Sequence, residues 1–416
     1  MAFSIPKKIT SLVEQGVFSG TTFLTNIALV KLLDLEQYGI FASLILVAHL
    51  LLGITQALVI QPMQVHLGKA GDQVSYHLIL LFLQLSLMLF FILAFVIMKL
   101  ANLNFLSSGQ LYFFPFVLYL VSFLLFDFYR KFFLATGNVI TALVIGIIQS
   151  VSTFGLLLFS ISDATTGSLT AYLYLLALAY AFPIVVATVI YCRQLALPDI
   201  NTLKKYLKVH LIDGQWLLYA AVVQWLSGNL YVMASGVLIG IEALGVLRFV
   251  QSLLGVINII LQTIENIVLP QLSRAYQVSL EHCYRTFQST IGPYQVVVLS
   301  GLALLFVFAG EVLQIAGNAA FAQYAYVLRG MILLYVIIIA AYPIRLLIRI
   351  TELNKSYFTA YLISFLFSLL SYQFLLTSFG VSGAILGLIF NQLILQTVWL
   401  VILNKNRYDV WKLYTS

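Results

Sequence analysis

The chain is expected to be all-α and polytopic, with about twelve transmembrane helices in two six-helix bundles. Three observations point there. Of its 416 residues 62% are hydrophobic and only 8% charged, with a mean hydropathy of +1.04, whereas soluble domains carry about 25% charged residues. Apolar stretches long enough to cross a bilayer, about 20 residues each, recur from end to end. A pattern also repeats at a distance of 206 residues: Leu32, Glu36, Gly39, Ile54 and Gln56 return as Leu238, Glu242, Gly245, Ile260 and Gln262. Such an echo marks an internal duplication, and duplicated membrane proteins commonly rock one half against the other to expose a site to two sides in turn.

Twelve spans follow from the apolar periodicity: 12–33, 38–61, 77–98, 111–133, 139–161, 170–192, 212–236, 244–269, 288–309, 320–343, 356–377 and 381–403. The first is mixed with Glu14, Gln15, Thr21, Thr22 and Asn26, unlike the apolar core of a cleavable signal, and is read as a retained helix. With the N-terminus cytoplasmic, 17 of the 21 basic residues lie on the inner side, so the positive-inside rule puts both termini there. The longest polar stretch separates spans six and seven and carries Pro198, Asp199, Lys204, Lys205 and Lys208. It divides the chain into an N-terminal bundle over 1–193, a cytoplasmic linker over 194–211 and a C-terminal bundle over 212–416. The net charge of +7 is a topology signal rather than one for nucleic acid. Cys192 and Cys283 are both assigned to the reducing side, and no disulfide or metal site is expected.

Ionisable and polar groups inside a bilayer are costly, so they mark functional candidates. Span eight is the richest: Arg248, Gln251, Asn258, Gln262 and Glu265 recur at helical spacing along one stripe, which either packs as a hydrogen-bonded seam or lines a water-filled cavity. Span two repeats this weakly with His49 and Gln56, span one offers Gln15, Ser19, Thr22 and Asn26, and span seven adds Gln224, Ser227 and Asn229. Arg248 and Arg329 are the cations that would hold an anionic group such as a phosphate through paired hydrogen bonds. Glu265 and Glu14 are the carboxylates that would couple transport to H+ or Na+, and no other cofactor is implied. Asp127, Arg130 and Lys131 stand at spacings that permit a local ion pair. Pro115, Pro183 and Pro293 are candidates for helix bends. No clustered catalytic constellation appears, so an enzyme is not expected.

The chain resembles the oligosaccharide (O-antigen type) flippases of bacterial polysaccharide biosynthesis, in the multidrug/oligosaccharidyl-lipid/polysaccharide exporter superfamily. The likeness rests on the polar first helix, Leu33-Asp34-Leu35-Glu36-Gln37-Tyr38-Gly39-Ile40-Phe41, Gly53-Ile54-Thr55-Gln56-Ala57, Gln61-Pro62-Met63, Ile241-Glu242-Ala243-Leu244-Gly245-Val246, and Tyr129-Arg130-Lys131-Phe132-Phe133-Leu134-Ala135-Thr136-Gly137. The resemblance implies a MATE-like fold in the bacterial inner membrane. It also implies a monomer that moves undecaprenyl-pyrophosphate-linked oligosaccharide between leaflets by alternating access, alongside polysaccharide assembly proteins. Its cationic cavity would use Arg248 and Arg329. An ion-coupled drug exporter of the same superfamily, or a membrane polymerase or acyltransferase, are the alternatives. A cation exporter needs a carboxylate in its site, whereas a lipid-phosphate carrier needs the arginines.

Overall fold

In the computed structural model, residues 7–67, 73–101, 109–162, 167–193, 195–317, 319–351 and 353–414 are described. Among them there is no strand, and the helices of membrane-crossing length number twelve. They are α1 (Lys7–Leu32), α2 (Leu35–His66), α3 (Gln73–Leu100), α4 (Gly109–Ala135), α5 (Val139–Ser162), α6 (Leu169–Cys192), α7 (Ile200–Leu238), α8 (Ile241–Val278), α9 (Leu280–Val307), α10 (Ala325–Ala340 with Tyr342–Ile350), α11 (354–379) and α12 (381–405). Nine stretches meet both the length and the hydropathy a bilayer demands, or ten with the bent α10 taken as one span. The polar α1 falls outside that set, and α11 and α12 are counted in it as one continuous helix. The chain is therefore a multi-pass, all-α membrane protein.

The split between α11 and α12 is set by glycine. Gly380 holds φ 57°, ψ −136°, a conformation L side chains rarely adopt. The two arms then run back along each other: Tyr357 stacks on Trp399, Ser364 bonds to Asn391 and Phe367 meets Phe390 edge-on. Three residues past the turn, a Cβ on Gly383 would overlap the Leu375 carbonyl oxygen. Only glycine lets the hairpin close.

Two compact units make up the fold, 1–33 with 44–222 and 34–43 with 223–416. The boundary at 222/223 falls inside α7, and the start of α2 belongs to the second unit. Residues 200–210, which their charge assigns to a linker, are helical and continuous with the span that follows. At 39 residues α7 is close to 60 Å long at about 1.5 Å per residue, about twice a hydrocarbon core.

In the first unit a proline organises the packing of α7 on α2. Pro62 has no N–H to give the carbonyl four residues earlier, that of Leu58, and residues Gln56–Ile60 loosen into a π-helical turn. The orphaned Leu58 oxygen accepts from His210 Nδ1 of α7 at 2.9 Å, and His210 Nε2 in turn pairs with the Tyr76 hydroxyl at 2.8 Å. Since a carbonyl only accepts, Nδ1 carries the proton and Nε2 accepts from Tyr76. Gly214, one turn further, lies against Leu58 so closely that a Cβ would meet its Cα at 3.2 Å.

The second unit repeats the device. Hydropathy ends span ten near 343, but its helix continues to Ile350 after a 41° bend at Ala341. Arg345 and Arg349, outside the expected span, are thus helical. Pro343 orphans the carbonyl of Ile339, which accepts from Gln295 Nε2 of α9 at 2.7 Å. The neighbouring carbonyls of Ile337 and Ala340 accept from Gln396 of α12 and from the Tyr414 hydroxyl. Away from water a broken helix persists only where other side chains satisfy the freed groups; here Gln295 and Tyr414 do so for Ile339 and Ala340, while the Ile337 carbonyl also keeps the Ala341 N–H.

Candidate functional site

The second unit holds an open cavity of about 400 Å³, walled by α7, α8, α10, α11 and α12. From α8 it receives Arg248, Gln251 and Asn258, three of the five polar residues that the sequence places on one stripe. The spacing of three and seven residues keeps them on one face. Arg248 is half-buried; its Nη1 donates to Gln251 Oε1 at 3.2 Å, and the Tyr38 and Tyr335 hydroxyls lie close to its guanidinium. Asn258 Nδ2 donates to Tyr335 Oη at 2.8 Å. From α7 come Gln224, Ser227 and Asn229, the less regular set of the sequence reading.

Sequence reasoning misses the far wall. Asn391 and Gln392 of α12 and Tyr361 of α11 line the cavity, yet each is isolated in an apolar segment and carries no periodic signal. Asn391 is buried in a closed ring of bonds. Its Nδ2 donates to the Ser227 carbonyl at 2.6 Å, its Oδ1 accepts from Ser368 at 2.7 Å, and its carbonyl accepts from Ser364, which itself accepts from Ser227 Oγ. This ring ties α7, α11 and α12 together, as polar groups do between helices in lipid. The serines at 364 and 368, one turn apart, are the signal the sequence offers for it. Behind Tyr361 stands Arg345, with Tyr342 and Tyr357 also near it and its Nε buried without a hydrogen-bond partner among the described residues.

Other expected site residues go elsewhere. Gln262 is exposed and does not line the cavity, which stops short of that end of α8. Arg329 is exposed, donates from Nε to the Phe306 carbonyl at 3.2 Å and sits 5.9 Å from the Phe306 ring. It does not join Arg248. Glu265 forms an ion pair with Arg349 of α10, and Tyr342 Oη lies 3.5 Å from its other oxygen. In the first unit, Asn26 turns its amide back onto the Thr22 carbonyl of its own helix at 2.9 Å. His49 packs edge-on against Phe123, and Gln56 opens the π-helical turn.

Glu14 has a buried partner 116 residues away. Arg130 Nε donates to Glu14 Oε1, its Nη2 donates to Gln15 Oε1 at 2.8 Å, and its Nη1 lies 3.7 Å from Asp127 Oδ1. The guanidinium also covers the Phe18 ring at 3.8 Å. The expected pair between Asp127 and Arg130 exists, but Glu14 is the nearer acceptor. Two carboxylates and one guanidinium share a buried site, all nearly inaccessible. One proton added to this cluster would make it neutral.

Chemically, the second-unit cavity presents one cation, several amides and two tyrosine hydroxyls, and no carboxylate among its described lining residues. It suits a ligand with one anionic group and much neutral polarity. No protein-family model matches the chain, and no curated protein matches it in sequence. Solved structures do. A multidrug resistance MATE family transporter of the MOP superfamily, inward-facing, superposes with a TM-score of 0.73 at 12% identity, covering 96% of this chain and 97% of that one. The lipid II flippase MurJ in an inward closed conformation gives a TM-score of 0.74 at 10% identity, over 97% of this chain and 89% of its own. The MATE multidrug transporter DinF-BH, solved as a ligand complex, gives 0.68 at 17% identity, over 97% and 96%. The chain has the fold of these MATE transporters and of the MurJ flippase, across essentially its whole length.

Proposed function

We propose that this protein is an alternating-access transporter that flips an undecaprenyl-pyrophosphate-linked oligosaccharide across the bacterial cytoplasmic membrane for surface polysaccharide assembly, with both termini cytoplasmic. The observation that carries this reading is the second-unit cavity with Arg248 as its cation and no carboxylate among its described lining residues. A guanidinium offers a phosphate paired hydrogen bonds, and a half-buried one strengthens them. Gln251 orients that guanidinium. The fold shared with the lipid II flippase MurJ supports a lipid-linked substrate.

A second reading, an ion-coupled drug exporter, is favoured by the multidrug MATE neighbours and by the buried carboxylates Glu14 and Asp127 on Arg130. Proton or Na+ coupling through Glu14 fits either reading. The deciding experiment is a deletion strain examined for lipid-linked oligosaccharide on the cytoplasmic leaflet. Trapped oligosaccharide, relieved by the wild-type gene and not by Arg248→Ala, supports the flippase. Normal surface glycan with heightened drug sensitivity replaces it with the exporter.

A further inference from the structure

Past α12 the chain folds back onto the second unit. At Arg407 φ is 62°, a left-handed conformation that a residue with a Cβ adopts at a cost. Residues 408–414 then run as a short strap over α8, α9 and α10. Its buried apolar side chains are Val410 and Leu413, while Trp411 is exposed. Polar contacts hold the rest. The Tyr408 and Tyr276 hydroxyls meet at 2.9 Å, the Asp409 N–H donates to Tyr284 Oη at 3.0 Å, and Gln288 Nε2 donates to the Lys412 carbonyl at 2.8 Å. Lys412 Nζ lies 3.3 Å from a Glu281 carboxylate oxygen. One further bond reaches the bend of α10: Tyr414 Oη donates to the Ala340 carbonyl at 2.8 Å. A segment held by two apolar side chains and polar contacts at the surface belongs to the low-stability end of a fold, and it can open while the bundle stays intact.

Two carbonyls at that bend accept from side chains, for different reasons. Ile339 needs Gln295 because Pro343 has no N–H to give it, whatever the bend angle. Ala340 is different, since in an unbroken helix the Ile344 N–H would serve it. At the 41° bend that N–H goes to the Ala341 carbonyl at 3.1 Å, and the Ala340 oxygen is turned out to Tyr414. The Tyr414 bond therefore belongs to the bent helix, and the Ile344 N–H is its competitor in a straight one. A contact made in only one of two states shifts the balance toward that state. The helix so held is a wall of the cavity: α10 supplies Met331, Leu334, Tyr335 and Ile338 to its lining, and Tyr335 accepts from Asn258. We infer that residues 408–414 are a strap that holds α10 bent through Tyr414, and that its release straightens α10 and reshapes the wall beside Arg248. The consequence for transport rests on the reading above, while the geometry of the strap does not.

The test is a distance in the full-length protein in nanodiscs. Nitroxides at Val297→Cys on α9 and Ile350→Cys at the tip of α10, on a Cys192→Ala, Cys283→Ala background, are measured by double electron–electron resonance. The arm after the bend has nine residues, about 13 Å at about 1.5 Å each, so straightening by 41° carries its tip about 9 Å. Removing the chain after Arg407 should shift the label distance by at least about 4 Å. Tyr414→Phe keeps the ring and removes only the bond, so it should add a second population shifted in the same direction, in a protein whose fold is otherwise untouched. Unchanged distances in both variants overturn the strap and leave the bend to Pro343. A shift on truncation with none in Tyr414→Phe overturns Tyr414 as the hold on α10. No substrate is present in the measurement, so either failure leaves the flippase reading standing, and failure of that reading leaves the distances as they are.

Discussion

Gly39 and Gly245, equivalent positions of the 206-residue repeat, lie against each other: a Cβ built on Gly245 would fall 2.9 Å from the Gly39 Cα. A Cβ on Gly39 would overlap the Ile241 carbonyl oxygen. The start of α2 thus crosses the start of α8 with backbone on backbone, as small residues allow in membrane helices. Around this crossing Tyr38 packs on Phe249 and Phe321, beside the helix that delivers Arg248. Gly39→Ala or Gly245→Val should cost about 1–3 kcal/mol through overpacking and lower the melting temperature in detergent. Gly53→Ala, where a Cβ meets open space, should leave it unchanged or higher.

The Leu58 carbonyl, orphaned by Pro62, makes a double-variant test. His210→Ala should destabilise by about 1–3 kcal/mol, because a buried acceptor and the Tyr76 hydroxyl lose their partner. Pro62→Ala restores an N–H that can reach Leu58 within the helix, so Pro62→Ala with His210→Ala should recover part of the loss. Additive destabilisation in chemical unfolding would show that His210 holds α7 by some other contact.

Arg130 answers two buried carboxylates, and removing it leaves charge without compensation. Arg130→Met should cost about 3–5 kcal/mol, visible as a collapse of the purified monodisperse fraction. Glu14→Gln keeps an acceptor for the guanidinium and should cost less than half as much. If Glu14 carries the coupling proton, this variant should still bind substrate while its transport rate no longer responds to external pH.

The two membrane arginines should behave differently. Arg248→Ala should cut surface polysaccharide by at least about tenfold at unchanged protein level, and Arg248→Lys should keep a part of it, since an ammonium lacks the planar fork. Arg329→Ala should stay within about twofold of wild type, because that side chain is exposed and engaged with the Phe306 carbonyl. An equal loss from both variants would mean that the cavity in the second unit is not where the anion sits.

At the turn of α11 into α12, Gly380→Ala should cost about 1 kcal/mol for its positive φ, and Gly383→Ala more, because its Cβ would overlap the Leu375 carbonyl. Thermal melts of the two variants should fall in that order.

Much of the frame is readable from the chain. The spans lie close to where hydropathy puts them, because a helix that must satisfy its own backbone in lipid is specified by about 20 consecutive residues and little else. The stripe Arg248, Gln251 and Asn258 is readable for the same reason, since three residues on one helix share a face whatever surrounds them. Gln262, on the same stripe, is not in the cavity, and Arg329, which belongs to no polar stripe, is exposed and apart from Arg248. Which way a helix face turns depends on its neighbours, and in lipid the hydrophobic effect does not choose.

Length, hydropathy and helical period are local properties, and they are enough to specify an all-α membrane chain, with twelve helices of crossing length among the described residues, and a polar stripe on α8. Partners are not local. Glu14 for Arg130, His210 for the carbonyl that Pro62 leaves open, Gln295 for the one that Pro343 leaves open, and Asn391 and Gln392 as the far wall of the cavity all emerge only from the folded chain. Each joins residues from distant helices, so each depends on which helices become neighbours. A lone amide or carboxylate in an apolar span shows only that it needs a partner, and packing supplies the one it finds.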